Sequence, residues 1–256
     1  AMRTRAAGFC VYNDVALAVA RARDAGHRVL YIDLDVHHGD GTQAMFWEDP
    51  QVLTFSVHES GRSLFPGTGS VEELGEGKGA GFTVNAPLDH GVGDESWWSV
   101  VDFMLPVLAD MFKPSFIVSQ HGCDTHALDP LAHLRLTTAS YQRACALIDR
   151  LAHEHADGRW FATGGGGYDA YRVVPRSWAL VWLAQAHRTT PATTPALWRE
   201  RWAAEAEDYD QAPLPLDLVD APQTVAPDPD VIVTRELKRA RESLLQSLRL
   251  QADCTT

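Results

Sequence analysis

Basic residues are scarce in this 256-residue chain: 22 Lys and Arg stand against 34 Asp and Glu, a formal net charge of -12. Phosphate contacts need clustered Lys and Arg, so direct binding to nucleic acid or to an anionic membrane is not expected. A histone-like or other basic protein partner remains compatible with that charge. Cysteine is also sparse. Cys10, Cys123, Cys145 and Cys254 show no Cys-x-x-Cys spacing, and no secretory leader goes with them, so a reduced cytoplasm is the expected location. Phosphate-cradle signatures are missing too. The glycine run at 164–167 is not followed by Gly-Lys-Ser/Thr, and no Gly-x-Gly-x-x-Gly with a downstream acid occurs. No internal repeat is present.

What the chain does have is chemistry at the ends of short apolar runs. Residues 31–42 read Tyr-Ile-Asp-Leu-Asp-Val-His-His-Gly-Asp-Gly-Thr, three carboxylates and two imidazoles where a strand opens into a loop. Residues two apart on a strand share a face, so Asp33, Asp35 and His37 can converge. Convergent anions repel, and a divalent cation removes the repulsion. An Asp/His donor set suits zinc, with iron second, better than calcium or magnesium. The alternative is a solvated acidic loop with a capping Asp.

Two further runs end the same way. Residues 116–120, Phe-Ile-Val-Ser-Gln, lead directly into His121-Gly122-Cys123-Asp124-Thr125-His126. Asp124 is the candidate third ligand there, with His121, Cys123 and His126 as alternatives. Residues 159–163 lead into four glycines and Tyr168. Glycines let backbone approach a ligand closely, and the Tyr168 phenol can donate to a developing oxyanion.

In combination, Asp-x-Asp-x-His-His-Gly-Asp-Gly, Gly-x-Asp-Thr-x-x-x-Asp-Pro and Gly-Gly-Gly-Gly-Tyr resemble the zinc-dependent histone deacetylase family, nearest to its bacterial acetoin-utilisation branch. Gly8-Phe9-Cys10-x-x-Asn13-Asp14 and Phe65-Pro66-Gly67-Thr68-Gly69 also match. The resemblance covers roughly residues 1 to 190. It implies an arginase/deacetylase-like α/β fold, an open and mainly parallel sheet flanked by helices with the N-terminal strands missing, which would uncover an apolar sheet edge.

Carried over position by position, the resemblance implies zinc ligands at Asp35, His37 and Asp124. Tyr168 becomes the transition-state-stabilising residue, and Gly8, Phe9, Phe65, Pro130 and Leu131 line a substrate tunnel. A potassium ion would use Asp33, Asp35, His37, Ser56 and the backbone of Val57. Asp33 and Asp40 match acids that orient two adjacent histidines. In the family a His-His-Ala step precedes the Gly-Phe-Cys motif, and this chain opens at the position of that Ala. The resemblance therefore implies a zinc-dependent lysine deacetylase that lacks its general base here and is nearly inactive as it stands. Its substrate would be an acetylated protein or peptide, for example an acyl-CoA synthetase-type enzyme. A small-amide or acetylpolyamine hydrolase of the same fold is the alternative within enzymes. A non-catalytic metal-binding or interaction module is the alternative outside them.

The chain divides into an expected catalytic domain, residues 1–188, and a C-terminal extension, residues 189–256. Helices are expected from Asn13 to Arg23, Ser96 to Met111, Thr138 to Ala152, Val173 to Ala186, Arg199 to Asp208 and Thr234 to Leu250. Strands are expected at Val29–Asp33, Val52–Val57 and, as an edge, Phe82–Ala86. Trp97-Trp98 reads as a core-and-surface pair, Cys123 as a small packed residue, and His58 and His90 as loop hydrogen-bonders. The Pro- and Thr-rich stretches 189–195 and 212–229 read as linker or extended wrap.

Overall fold

The computed structural model describes residues 1–221 and, beyond them, residues 238, 239, 242, 244–246, 249 and 250. Helix α1 (Asp14–Asp24) starts where expected because the Asn13 side chain accepts from the Ala16 N–H at 2.8 Å. It stops at Gly26, whose φ of +92° is open to glycine at little cost. Strand β1 (Val29–Asp33) follows, then the short helix α2 (Asp40–Met45), which the sequence reading lacked. Strands β2 (Val52–Glu59) and β3 (Thr83–Leu88) precede helix α3 (Asp94–Phe112), which runs through Pro106. Strand β4 (Phe116–His121), helix α4 (Thr138–Ala156), strand β5 (Trp160–Gly164), helix α5 (Val174–Gln185) and helix α6 (Ala196–Asp208) complete the order.

The five strands form one sheet in the order β3-β2-β1-β4-β5, parallel at every pairing. Strand β1 lies at the centre and is buried at all of its residues. Its alternation still decides what packs where. Leu30 and Ile32 join Leu53, Phe55 and Ile117 in the large core under α3 and α4, with Trp97, Met104, Leu108 and Ile148. Val29 and Tyr31 point the other way, to Val19 and Ala22 of α1. A strand covered on both faces reads as a continuous apolar run, and Val-Leu-Tyr-Ile is one. The exposed edge expected from the sequence falls on β5, where Phe161 is 46% exposed. β3 is the other outer strand, as expected. Both β2 and β3 run two residues further than the sequence suggested, to Glu59 and Leu88.

Trp98 corrects the core-and-surface reading. It is buried together with Trp97, and the Arg143 guanidinium lies 4.1 Å from its ring centroid. Residues 212–221 return to the domain, with Leu218 in the main core. There Asp220 accepts from Arg176 at 2.7 Å and from the Thr138 hydroxyl at 2.8 Å, and sits 3.1 Å from Nε2 of His126. Most of the expected helix 234–250 lies outside the described residues. Of those described, all are helical, Leu244 is buried in the main core, and Arg239 donates to Asp89 at 3.1 Å.

The Asp220 contact carries a stability prediction. Burial pushes its carboxyl up, but His126, Arg176 and Thr138 outweigh this and hold it well below the usual carboxylate range. A depressed folded value means that the stabilisation is present above the unfolded pKa of about 3.9 and is lost as pH falls through the folded value. Asp220→Ala leaves Arg176, only 2% exposed, without its carboxylate. Loss of one partner of such a pair costs about 3–5 kcal/mol, so denaturant titration at pH 7 should give a clear drop. An unchanged midpoint would show that the strap does not hold the domain.

Candidate metal centre

β1, β4 and β5 are neighbours in the sheet and run the same way, so their carboxyl ends open on one side. Ligands gather at such ends of parallel strands. The loop after β1 brings Asp35 and His37, the loop after β4 brings Asp124, and the glycine run after β5 closes against both. Backbone bonds fix the three loops to one another: Leu34 donates to the Gln120 carbonyl at 3.0 Å and Cys123 to that of Gly166 at 2.7 Å.

Nδ1 of His37 lies 3.0 Å from Oδ1 of Asp35 and 3.2 Å from Oδ2 of Asp124. All three donor atoms fall within 4.8 Å of one another. The remaining carboxylate oxygens are held by the backbone and by one side chain. Oδ1 of Asp124 accepts from the Val36 N–H at 2.9 Å, while Oδ2 of Asp35 accepts at 2.8 Å from both the Gly166 N–H and Nε2 of Gln120. Glycine is required at 166, because a Cβ there would overlap the Asp124 carboxylate.

The electrostatics ask for a cation. Burial and the Asp35 charge push Asp124, which is fully buried, up to about 7. Burial also raises Asp35, but the hydrogen bonds and charge of His37 outweigh it and hold that carboxyl low. Burial opposes charge on His37, yet the bonds and charges of Asp124 and Asp35 prevail and raise it to about 10. The imidazolium thus sits where a divalent ion would relieve both carboxylates. Two oxygens and one nitrogen with nearest separations of 3.0 and 3.2 Å match the spacing of ligands about 2.0–2.2 Å from a single zinc.

The other candidates in the β4 loop are engaged elsewhere. Nε2 of His121 is 2.7 Å from the Ser119 hydroxyl and burial lowers this histidine to about 4. His126 faces Asp220, and burial pushes the Cys123 thiol up, which keeps it protonated. The residues expected for potassium lie next to the cluster: Asp33 and Ser56 are partners across β1 and β2, with Val57 next along the strand. Oδ1 of Asp33 accepts from the Asp35 N–H and Oδ2 from the Tyr31 hydroxyl at 2.5 Å, so this acid is hydrogen-bonded without an orienting histidine. Burial and the Asp35 charge raise it well above the carboxylate range. Asp40 opens α2 and lines the cavity. His58 is fully buried on β2, between Ser56 and the Gly69 carbonyl, and is not a loop residue.

The triad lies in a cavity of about 850 Å³ whose wall includes Gly8, Phe9, Phe65, Leu131 and Tyr168. The Phe9 ring meets Tyr168 edge-on at 5.9 Å between centroids, and Phe65 meets His37 at 6.3 Å. Pro130 is exposed and outside that wall. Asp129 positions Tyr168, accepting its backbone N–H at 2.9 Å, while burial and the Asp124 and Asp35 charges raise the phenol to about 12. Gln120 and Asp129 were missed in the sequence. Asp129 belongs to a quoted motif, whereas nothing local singles out Gln120 at the end of an apolar strand.

Residues 1–185 match the histone deacetylase domain. The chain belongs to the histone deacetylase family. It is 46% identical over 201 residues to the acetoin utilization protein AcuC of Bacillus subtilis (strain 168), an alignment covering 78% of this chain and 52% of that protein. For AcuC of Staphylococcus xylosus the identity is 41% over 217 residues, covering 84% and 56%. The crystal structure of an HDAC homologue complexed with SAHA superposes with a TM-score of 0.82 at 30% identity, covering 94% of this chain and 64% of that one. An HDAC homologue from Aquifex aeolicus gives 0.81 at 29%, with the same coverage. The chain spans about half the length of the curated relatives it matches.

Two outcomes check the centre. Partners that orient ligands are worth about 10–100-fold in metal affinity, so Gln120→Leu should weaken zinc binding by that factor, read by competition with a chromophoric chelator. An unchanged affinity would remove Gln120 from the site. Because His37 is protonated in the free chain and Asp124 is raised to about 7, zinc uptake at pH 7 should release between about one and two protons and weaken as pH falls. Calorimetry in buffers of different ionisation enthalpy measures this, and zinc uptake without proton release would exclude His37 as ligand.

Proposed function

We propose that this chain carries the metal-binding part of a zinc-dependent deacetylase that hydrolyses the acetyl amide of lysine in a protein or peptide, with iron as the alternative ion. The observation that carries the reading is the Asp35–His37–Asp124 cluster at the floor of a cavity walled by two phenyl rings and overlooked by Tyr168. Bound there, the ion would acidify a water and polarise the amide carbonyl. The chain's own groups do the rest of what is available. Phe9 and Phe65 border a path for a linear aliphatic arm, which fits an acetylated lysine better than a bulky group. The Tyr168 phenol, raised to about 12, stays protonated at neutral pH and keeps its O–H to donate to an oxyanion.

Proton transfer is the part these residues do not supply. Of the described histidines, only His37 and His38 line the cavity. His37 belongs to the ligand set, and His38 places its two ring nitrogens 2.8 Å from the Thr68 hydroxyl and 2.8 Å from Oε1 of Gln43. Ala1 lies in the cavity wall, its carbonyl accepting from Nδ2 of Asn13 at 3.2 Å. A general base is worth about 10²–10⁴-fold in rate, so the chain by itself should be nearly inactive. This same observation favours a second reading, a metal-binding module without catalysis.

The experiment compares three chains on an acetyl-lysine peptide: the 256 residues, the same chain preceded by His-His, and that extended chain with Tyr168→Phe. The extended chain should turn over, the unextended one should match a metal-stripped control, and Tyr168→Phe should lower kcat by about 10²–10³-fold. Activity of the unextended chain equal to the extended one would overturn the assignment of the missing base. No activity in either, with zinc bound, would support the non-catalytic module.

A further inference from the structure

The last residue of β2 lies outside the chemistry described so far. Glu59 is 1% exposed, with its side chain fully covered. Its Oε1 accepts from the Ser63 hydroxyl at 2.9 Å and lies 3.0 Å from Nδ1 of His133, while Oε2 accepts from the His133 N–H at 3.0 Å. A second imidazole, His90, stacks on His133 with centroids 4.4 Å apart and points its Nδ1 at the same Oε1 from 3.8 Å. That separation is too long for a hydrogen bond. Ligands about 2.0–2.1 Å from one tetrahedral ion stand about 3.3 Å apart, and 3.0 and 3.8 Å bracket this value.

We infer that Glu59, His90 and His133 form a second metal site, for a zinc-like divalent transition ion. Two imidazoles and one carboxylate suit zinc, nickel or copper and disfavour magnesium and calcium, which prefer oxygen donors. The three donor atoms lie within 4.8 Å of one another, as in the first cluster. Both histidines are exposed, so a coordination position faces solvent and the ion exchanges more freely than at the buried triad. His90 is then a ligand residue and not a simple loop hydrogen-bonder. A rival cluster, Asp149, His153 and His187, has no fully covered carboxylate and is the natural control.

The location gives the site a consequence. Glu59 opens the loop that carries Phe65, and His133 lies two residues beyond Leu131, so one ion would tie together two loops that wall the main cavity. A backbone relay joins the centres: the Glu59 N–H donates to the Val36 carbonyl at 2.9 Å, and the Val36 N–H donates to Asp124. Occupancy of the second site thus stiffens the mouth of the first.

The metal-stripped full chain titrated with Zn²⁺ in a calorimeter should show two classes of site, a tight one and a weaker one. His90→Ala/His133→Ala should lose the weaker class and keep the tight one, and His90→Ala alone, which keeps the 3.0 Å contact of His133 with the buried Glu59 carboxylate, should weaken that class with the fold unchanged by circular dichroism. Asp124→Ala should lose the tight class alone, and His153→Ala should change neither. Hydrogen exchange at residues 60–65 and 129–135 should slow as the second equivalent binds. A single class in the unsubstituted chain, a weaker class that survives the double substitution, or one lost in His153→Ala would each overturn the site. Binding without slowed exchange would overturn the stiffening.

Discussion

Asp35 and Asp124 face each other in a buried space and share Nδ1 of His37, and most of what is distinctive about this chain follows from bringing those two carboxylates together. Neither acid is placed by its own segment. Asp35 follows β1, Asp124 follows β4, and they meet because these strands are parallel partners in the sheet. Like charges under burial are unfavourable unless a cation or well-aimed donors offset them. The donors here are the N–H groups of Val36, His37 and Gly166 and the amide of Gln120. The cation is an imidazolium in the free chain and, in the reading favoured here, a metal ion in the working one. Glycine at 166 follows from the same constraint, since any side chain would occupy the space next to Asp124.

The same requirement explains why the surrounding architecture is rigid. β1 is sealed on both faces by apolar side chains, so the strand end cannot shift to separate the acids. The β4 loop is pinned from behind: Thr125 meets the Tyr141 hydroxyl at 2.6 Å, His126 meets Asp220, and Asp129 accepts from both Leu131 and Tyr168. Leu131 of the wall, Asp124 of the cluster and the backbone of Tyr168 are thereby set by one eight-residue loop. The strap at Asp220 belongs to the site for this reason, although it stands far from it in sequence.

The elements themselves were legible because their signals are local. An Asn cap before an apolar stripe located α1, an apolar run located β1 to the residue, and Asp-x-Asp-x-His marked the candidate metal loop. Strand alternation alone put Asp33 with Asp35 and His37 and left Asp124 one candidate among four; the family resemblance implied Asp35, His37 and Asp124, and these are the three whose donor atoms meet, while Asp33 turns to the Tyr31 hydroxyl. What was not legible depends on strand order. The sequence cannot say that β4 lies between β1 and β5, so it could not show that the Gln120 amide meets Asp35. Nor could it show that His90, after β3, stacks on His133, which is 43 positions further on. Helix α2 escaped because a six-residue helix opening on Gly39-Asp40-Gly41 has neither the length nor the periodicity of a helical signal. Trp98 was misjudged because its outward position is covered by Arg143 from α4.

The central claim is that the first metal this chain takes up is held by two carboxylates and a single imidazole. X-ray absorption at the zinc edge, on metal-stripped chain loaded with less than one equivalent, tests it most directly. The expected spectrum has nitrogen and oxygen scatterers at about 2.0–2.2 Å, with the outer-shell signature of one imidazole. A sulfur scatterer at about 2.3 Å would bring in Cys123, and the signature of two imidazoles would place the first ion at Glu59, His90 and His133. Either result would contradict the account.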